Sequence, residues 1–126
     1  MAEANRKKVM IIEDDRFLSS LIKARLEKED FIVLQAFDGE EAIRLLKQEK
    51  PSLIILDLIM PKVTGFEVLE AISMDPEQNQ TPIVVLSNLA QDSDVAKAKS
   101  LGATEYFVKV RVSIDDVIQK VKTILK

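Results

Sequence analysis

Leu53-Ile54-Ile55-Leu56-Asp57-Leu58-Ile59-Met60-Pro61 places four unbroken apolar residues directly before a carboxylate, with a proline four residues beyond it. A run this short, partly β-branched and closed by turn chemistry, reads as a strand buried on both faces, as in a parallel sheet. Four further runs share the character, at residues 9–12, 31–34, 83–86 and 106–108.

Segments with helical spacing separate these runs. Phe17, Leu18, Leu21, Ile22 and Leu26 form the first apolar stripe. Ala42, Ile43, Leu45 and Leu46 form the second, led by a capping-box pattern at Asp38 and Glu41. Phe66, Leu69 and Ile72 follow and stop before Pro76; Val95, Ala98 and Leu101 make a weaker fourth, with Gly102 as its C-terminal cap. Ser113 is the expected N-cap of the last, built on Ile114, Val117, Ile118, Val121, Ile124 and Leu125. Alternating strands and helices predict an α/β fold, (βα)₅. Right-handed crossovers then place helices on both faces of a five-stranded parallel sheet.

The 126 residues suit one domain with a single sizeable core. With 47% apolar and 31% charged residues, the composition is that of a folded globular chain. Eighteen basic and 21 acidic residues are interspersed to a net charge of −3, which points to neither nucleic acid nor membrane as a partner. Cysteine and histidine are both absent. That excludes disulfides, thiolate catalysis, the usual zinc ligands and a phosphohistidine donor role. No apolar run approaches the roughly 20 residues of a membrane span, and no secretory pattern opens the chain, so a cytoplasmic location is expected. The expected organisation is a flexible N-terminus over 1–7 and one domain over 8–126, with no output domain.

In an open α/β sheet, ligands bind beyond the carboxyl ends of the strands. There the first run ends in Glu13-Asp14-Asp15, the third in Asp57, the fourth in Ser87 and the fifth in Lys109. Each residue alone has an ordinary reading. Asp15 reads equally well as a helix N-cap, Asp57 as the start of a turn before Pro61, Ser87 as a loop hydroxyl, and Lys109 as a solvated strand end. Their convergence on one edge carries the weight. Crowded carboxylates need a cation, and hard oxygen ligands without His or Cys favour Mg²⁺. One carboxylate is then free to act as nucleophile toward phosphorus, forming an acyl phosphate. An ammonium and a hydroxyl suit the charged oxygens of the transferring group.

These segments resemble the receiver domains of two-component response regulators, and most of all the single-domain kind typified by the chemotaxis response regulator. The resemblance runs through residues 9–15, through Leu53 to Pro61 with Gly65, through Pro82 to Ser87, and through Gly102-Ala103 and Tyr106 to Lys109, covering about residues 8 to 125. It implies a flavodoxin-like, doubly wound sheet in the order 2-1-3-4-5. It implies Asp57 as phosphoacceptor from a histidine kinase or histidine phosphotransfer protein. Mg²⁺ would be held by Asp57, Asp14, Glu13 through a water and the backbone carbonyl of Ile59. Ser87 and Lys109 would hold the phosphoryl group, and Ser87 with Tyr106 would form the switch; on spacing alone Tyr106 is as readily a core aromatic. A downstream protein would bind the fourth-helix, fifth-strand and fifth-helix face, with the chain a monomer or a phosphorylation-dependent dimer. No enzymatic activity is expected beyond self-phosphorylation and slow self-dephosphorylation.

The sequence makes three departures from the family pattern. Val110 replaces the proline that usually follows the lysine, so a trans peptide is expected, since a cis bond there costs about 2.5–4 kcal/mol. Asn88 stands where a small residue is usual, which narrows access to the site. Ile59 and Leu89 are both apolar at positions that set phosphoryl lifetime, so a long-lived phosphoryl group is expected. Competing readings are a degenerate receiver serving as a phosphorylation-independent scaffold, an aspartate-nucleophile phosphatase of the haloacid dehalogenase type, and an FMN carrier. Ile59, where the phosphatase needs a second aspartate, disfavours that enzyme. Glu13-Asp14-Asp15 would repel the phosphate of FMN.

Overall fold

The computed structural model describes residues 6–126. Residues 1–5 of the expected flexible segment lie outside the described residues. Arg6 hydrogen-bonds Asp30 at 3.3 Å, and the Lys7 carbonyl accepts the Ile32 N–H at 2.9 Å.

The strands are β1 (Lys8–Ile12), β2 (Ile32–Ala36), β3 (Leu53–Leu56), β4 (Ile83–Ser87) and β5 (Glu105–Val108). They alternate with α1 (Arg16–Lys28), α2 (Gly39–Leu46), α3 (Gly65–Ser73), α4 (Asp92–Ser100) and α5 (Ile114–Ile124), with one 3₁₀ turn at Lys109–Arg111 before α5. All pairings are parallel, in the order β2-β1-β3-β4-β5. This is the (βα)₅ fold expected from the alternation, with the flavodoxin-like strand order that the resemblance implied.

Period-two alternation divides the core. Val9, Ile11, Leu53, Ile55, Val84 and Leu86 turn to one face, where Ile22 and Leu26 of α1 and Val117, Ile118 and Val121 of α5 cover them. Met10, Ile12, Ile54, Leu56, Ile83 and Val85 turn to the other, under α2, α3 and α4. The central strands are buried on both faces as predicted, whereas β2 and β5, at the sheet edges, are mostly half-buried.

Two local readings shift. β2 starts one residue later than its apolar run and continues through Gln35 to Ala36. The Gln35 amide donates to the Ser19 hydroxyl at 2.8 Å, so a polar pair joins β2 to α1. The buried side of α1 turns toward Ser19, Ile22 and Leu26, leaving Phe17 and Leu21 of the expected stripe exposed.

Caps fall where the side-chain chemistry placed them. Asp38 accepts the Glu41 N–H at 2.8 Å, while the Glu41 carboxylate takes the Phe37 N–H. Ser113 and Asp116 form a capping box on α5. Gly102 follows the end of α4 at φ 108°, the left-handed region that favours glycine.

Gly65 has a different role. A Cβ there would lie 2.3 Å from the Asp57 carbonyl oxygen and 2.4 Å from the Leu58 Cα. The Gly65 N–H donates to the Leu58 carbonyl at 3.0 Å, so α3 begins pressed against the loop that carries Asp57. Backbone cannot step aside as a side-chain tip can. Gly65→Ala should therefore lower stability by about 1–3 kcal/mol, as overpacking does. Urea unfolding would show a lower midpoint at unchanged slope; an unchanged midpoint would mean that α3 retreats freely from this loop.

Candidate functional site

Strand pairing assembles the site. Ile12 and Leu56 are register partners at the ends of β1 and β3, and the Asp57 N–H donates to the Ile12 carbonyl at 2.9 Å. Glu13 and Asp14 therefore emerge beside Asp57. One ligand oxygen from each of Glu13, Asp14 and Asp57 lies within 4.8 Å of the others. Glu13 and Asp57 are 2% and 4% exposed, while Asp14 opens to solvent.

Lys109 reaches into this cluster from the end of β5. Its Nζ lies 2.8 Å from Glu13 Oε1 and 3.1 Å from Asp57 Oδ2. The Lys109–Val110 peptide is trans, as expected, and the Val110 side chain points to solvent. Replacing the usual proline has not withdrawn the ammonium from the acids. The other Asp57 oxygen, Oδ1, accepts the Ile59 N–H at 3.1 Å, and Glu13 Oε2 accepts the Asp15 N–H at 3.1 Å. Asp15 itself is a helix cap: its carboxylate accepts the Phe17 and Leu18 N–H groups at 3.0 and 3.1 Å.

Burial pushes Glu13 up from 4.5 to about 7, opposed by the hydrogen bond from Lys109 and reinforced by the Asp57 charge. Burial alone would lower Lys109, but its hydrogen bond to Glu13 and the charges of Asp57 and Glu13 outweigh that and raise it. Three carboxylates against one ammonium leave an excess of negative charge on hard oxygen donors. That donor set fits a small divalent cation such as Mg²⁺ and disfavours a soft one.

Ser87 and Tyr106 meet elsewhere, at Leu89. The buried Ser87 hydroxyl accepts the Leu89 N–H at 3.3 Å, and the half-buried Tyr106 hydroxyl donates to the Leu89 carbonyl at 2.7 Å. One residue beyond β4, Leu89, is thus gripped through both of its backbone polar groups. Burial, followed by the charges of Asp94 and Asp57, raises the Tyr106 pKa and keeps its hydroxyl a donor. Ile59 and Asn88 are exposed at the rim.

The sequence reading missed Arg16 and Phe37. The Arg16 guanidinium carbon stands 4.0 Å from the centroid of the Phe37 ring. They are far apart in the chain and carry no joint motif; only the β1–β2 pairing makes them neighbours.

The family model described as response regulator receiver domain matches residues 9–122. The transcriptional regulatory protein CpxR of Escherichia coli K12 is 38% identical over 102 residues, 81% of this chain and 42% of CpxR. The chain spans about half the length or less of curated relatives it matches, from 40% to 49%. Among solved structures, the phosphorylated cyanobacterial phytochrome response regulator RcpA is 34% identical with a TM-score of 0.81, covering 94% of this chain and 91% of that one. The Mn²⁺-bound response regulator Rcp1 is 31% identical with the same TM-score and coverage. Among the described residues no helix is long and apolar enough to cross a membrane.

The Glu13 shift has a thermodynamic consequence. Between about pH 4.5 and 7 the folded chain holds the Glu13 proton more tightly than the unfolded chain does. Glu13 thus contributes a loss of stability as pH rises through that window, complete above it. Without divalent cations, Glu13→Gln should gain on the wild type as urea midpoints are compared from pH 5 to pH 7.5. Parallel midpoint curves for the two proteins would contradict the shift.

Proposed function

Because the chain belongs to the response regulator receiver domain family, we propose that it is a signalling module that accepts a phosphoryl group on Asp57 and passes the signal by protein contact. The observation that carries this reading is the gathering of Glu13, Asp14, Asp57 and Lys109 at the carboxyl ends of β1, β3 and β5.

In the proposed transfer, a carboxylate oxygen of Asp57 attacks the phosphorus of a phosphohistidine on a histidine kinase or phosphotransfer protein. The new O–P bond forms as the P–N bond breaks, and the electron pair leaves with the imidazole nitrogen. Glu13, Asp14, Asp57 and the carbonyl of Ile59 would hold Mg²⁺. Bound there, it supplies positive charge against the phosphoryl oxygens, as in other phosphoryl transfers. Lys109 would exchange part of its contact with Asp57 for a phosphoryl oxygen. Ser87 would give up its bond with the Leu89 N–H and donate its hydroxyl to another. That phosphorylated RcpA and Mn²⁺-bound Rcp1 share this fold is consistent with both roles.

Leu89 links this chemistry to the surface. Releasing Ser87 from the Leu89 N–H frees one of the two bonds on that residue's backbone, and Tyr106 holds the other. Downstream lies α4, whose sole buried residue among Asp92–Ser100 is Ala98. A helix so lightly anchored can be biased between two positions by contacts of modest strength. The face formed by α4, β5 and α5 is therefore the proposed surface for a downstream protein or a second copy, in a cytoplasmic setting. The transcriptional role in the name of CpxR belongs to a protein of which the matched region makes up 42%.

Incubation with acetyl phosphate, followed by intact mass measurement, tests the reading. One phosphoryl adduct that requires Mg²⁺ and disappears in Asp57→Asn is expected. No adduct would return the chain to a phosphorylation-independent scaffold. Once formed, the adduct should decay slowly, because Ile59 and Leu89 offer an attacking water no polar partner. Ile59→Asn with Leu89→Glu should quicken decay about tenfold or more, within what a positioned polar group contributes. Equal decay rates would remove this account of the lifetime.

A further inference from the structure

We propose that Arg16 is a positioning residue for the incoming anionic phosphodonor, parked by Phe37 at the rim of the Asp57 site and held out of the acid cluster. The inference rests on the phosphoacceptor reading for its ligand, and on independent geometry for its residues.

Arg16 is two residues from Asp14 in the chain, and a free guanidinium so placed is expected to fold onto the nearby carboxylates. Instead its Cζ lies 4.0 Å from the centroid of the Phe37 ring, and among the described residues no ion pair within 4.0 Å involves Arg16. Phe37 is well fixed for this task. It follows Ala36, whose carbonyl accepts the Glu13 N–H at 3.1 Å, and its own N–H is held by Glu41. Phe37 thus leaves the end of β2 next to the acidic end of β1. Lys109 approaches the same acids from the opposite, β5 side.

This placement answers an electrostatic difficulty. Glu13, Asp14 and Asp57 are gathered with one ammonium, and Asp15, which caps α1 next in the chain to Asp14, adds a fourth negative charge, so a bound dication leaves this group with one negative charge in excess. A phosphodonor carrying two negative charges is repelled by that field. A guanidinium at the rim offsets the repulsion and draws the donor in. Stacking keeps it from being spent on Asp14, and a guanidinium stacked by its face retains N–H groups at its edge for paired contacts with phosphate oxygens.

The test measures the phosphorylation rate by acetyl phosphate at saturating Mg²⁺, with intact mass as readout. At low salt Arg16→Gln should react about two- to fivefold more slowly than wild type, and Arg16→Lys should retain most of the rate. The difference should fade near 1 M salt, where the screening length is about 3 Å. A purely structural role would show no such salt dependence. A second readout needs no phosphorylation: calorimetric titration with Mg²⁺ alone. Phe37→Leu should release Arg16 onto the acids and weaken Mg²⁺ binding a few-fold. Adding Arg16→Gln to Phe37→Leu should restore it.

Wild type that is phosphorylated at the same rate as Arg16→Gln at every salt concentration would overturn the steering role while leaving Asp57 as acceptor. Mg²⁺ affinities in which the double variant shows no recovery would overturn the parking role of Phe37. Wild type that takes no phosphate would remove the acceptor reading, and the Mg²⁺ titrations would then decide the Arg16–Phe37 pair alone.

Discussion

The parallel pairing of β1 with β3 is the constraint from which the rest follows. Both strands are buried on both faces, so their register is fixed by packing under α1 and α5 on one side and under α2 and α3 on the other. The Asp57 N–H to Ile12 carbonyl bond closes that ladder at its carboxyl end. Three acids from two distant segments are then forced together just where the apolar runs stop. Charge crowding here is a consequence of sheet geometry, and everything nearby serves to tolerate it.

Lys109 is the internal compensation. It arrives from the edge strand β5 and binds Glu13 more closely than Asp57. Burial raises the affinity of Glu13 for its proton and the Asp57 charge adds to it, against the hydrogen bond from Lys109; two buried carboxylates sharing one ammonium remain short of positive charge. The same deficit makes the cluster receptive to a hard cation and hostile to an anion. In the proposed phosphoacceptor role the second property must be offset, and the guanidinium of Arg16, held over Phe37, is the group proposed to do so.

Stability is unevenly distributed around this centre. Gly65 lets α3 start in contact with the Asp57 loop, so one side of the site is rigidly buttressed. The β4 side differs, because Leu89 is held by single bonds from Ser87 and Tyr106 and leads into the lightly buried α4. The proposed rearrangement at Asp57 would therefore meet least resistance toward α4 and β5.

The amino-acid sequence by itself determined the (βα)₅ architecture, because apolar runs of strand length alternate with helical stripes and period is a local property. It also placed Asp57, Glu13, Asp14, Ser87 and Lys109 on one edge, because strand ends are where apolar runs stop. Caps such as Asp38, Ser113 and Gly102 were legible for the same local reason. What only the tertiary structure decided depends on partners distant in the chain. The buried side of α1 carries Ser19, hydrogen-bonded to Gln35, beside Ile22 and Leu26, and leaves Phe17 exposed against its pattern. The close approach at Gly65, the shared grip on Leu89, and the stacking of Arg16 on Phe37 needed two or more elements in place. Sequence spacing reports which way a side chain faces along its own element, whereas contact between elements is set by register and packing, which no single segment encodes.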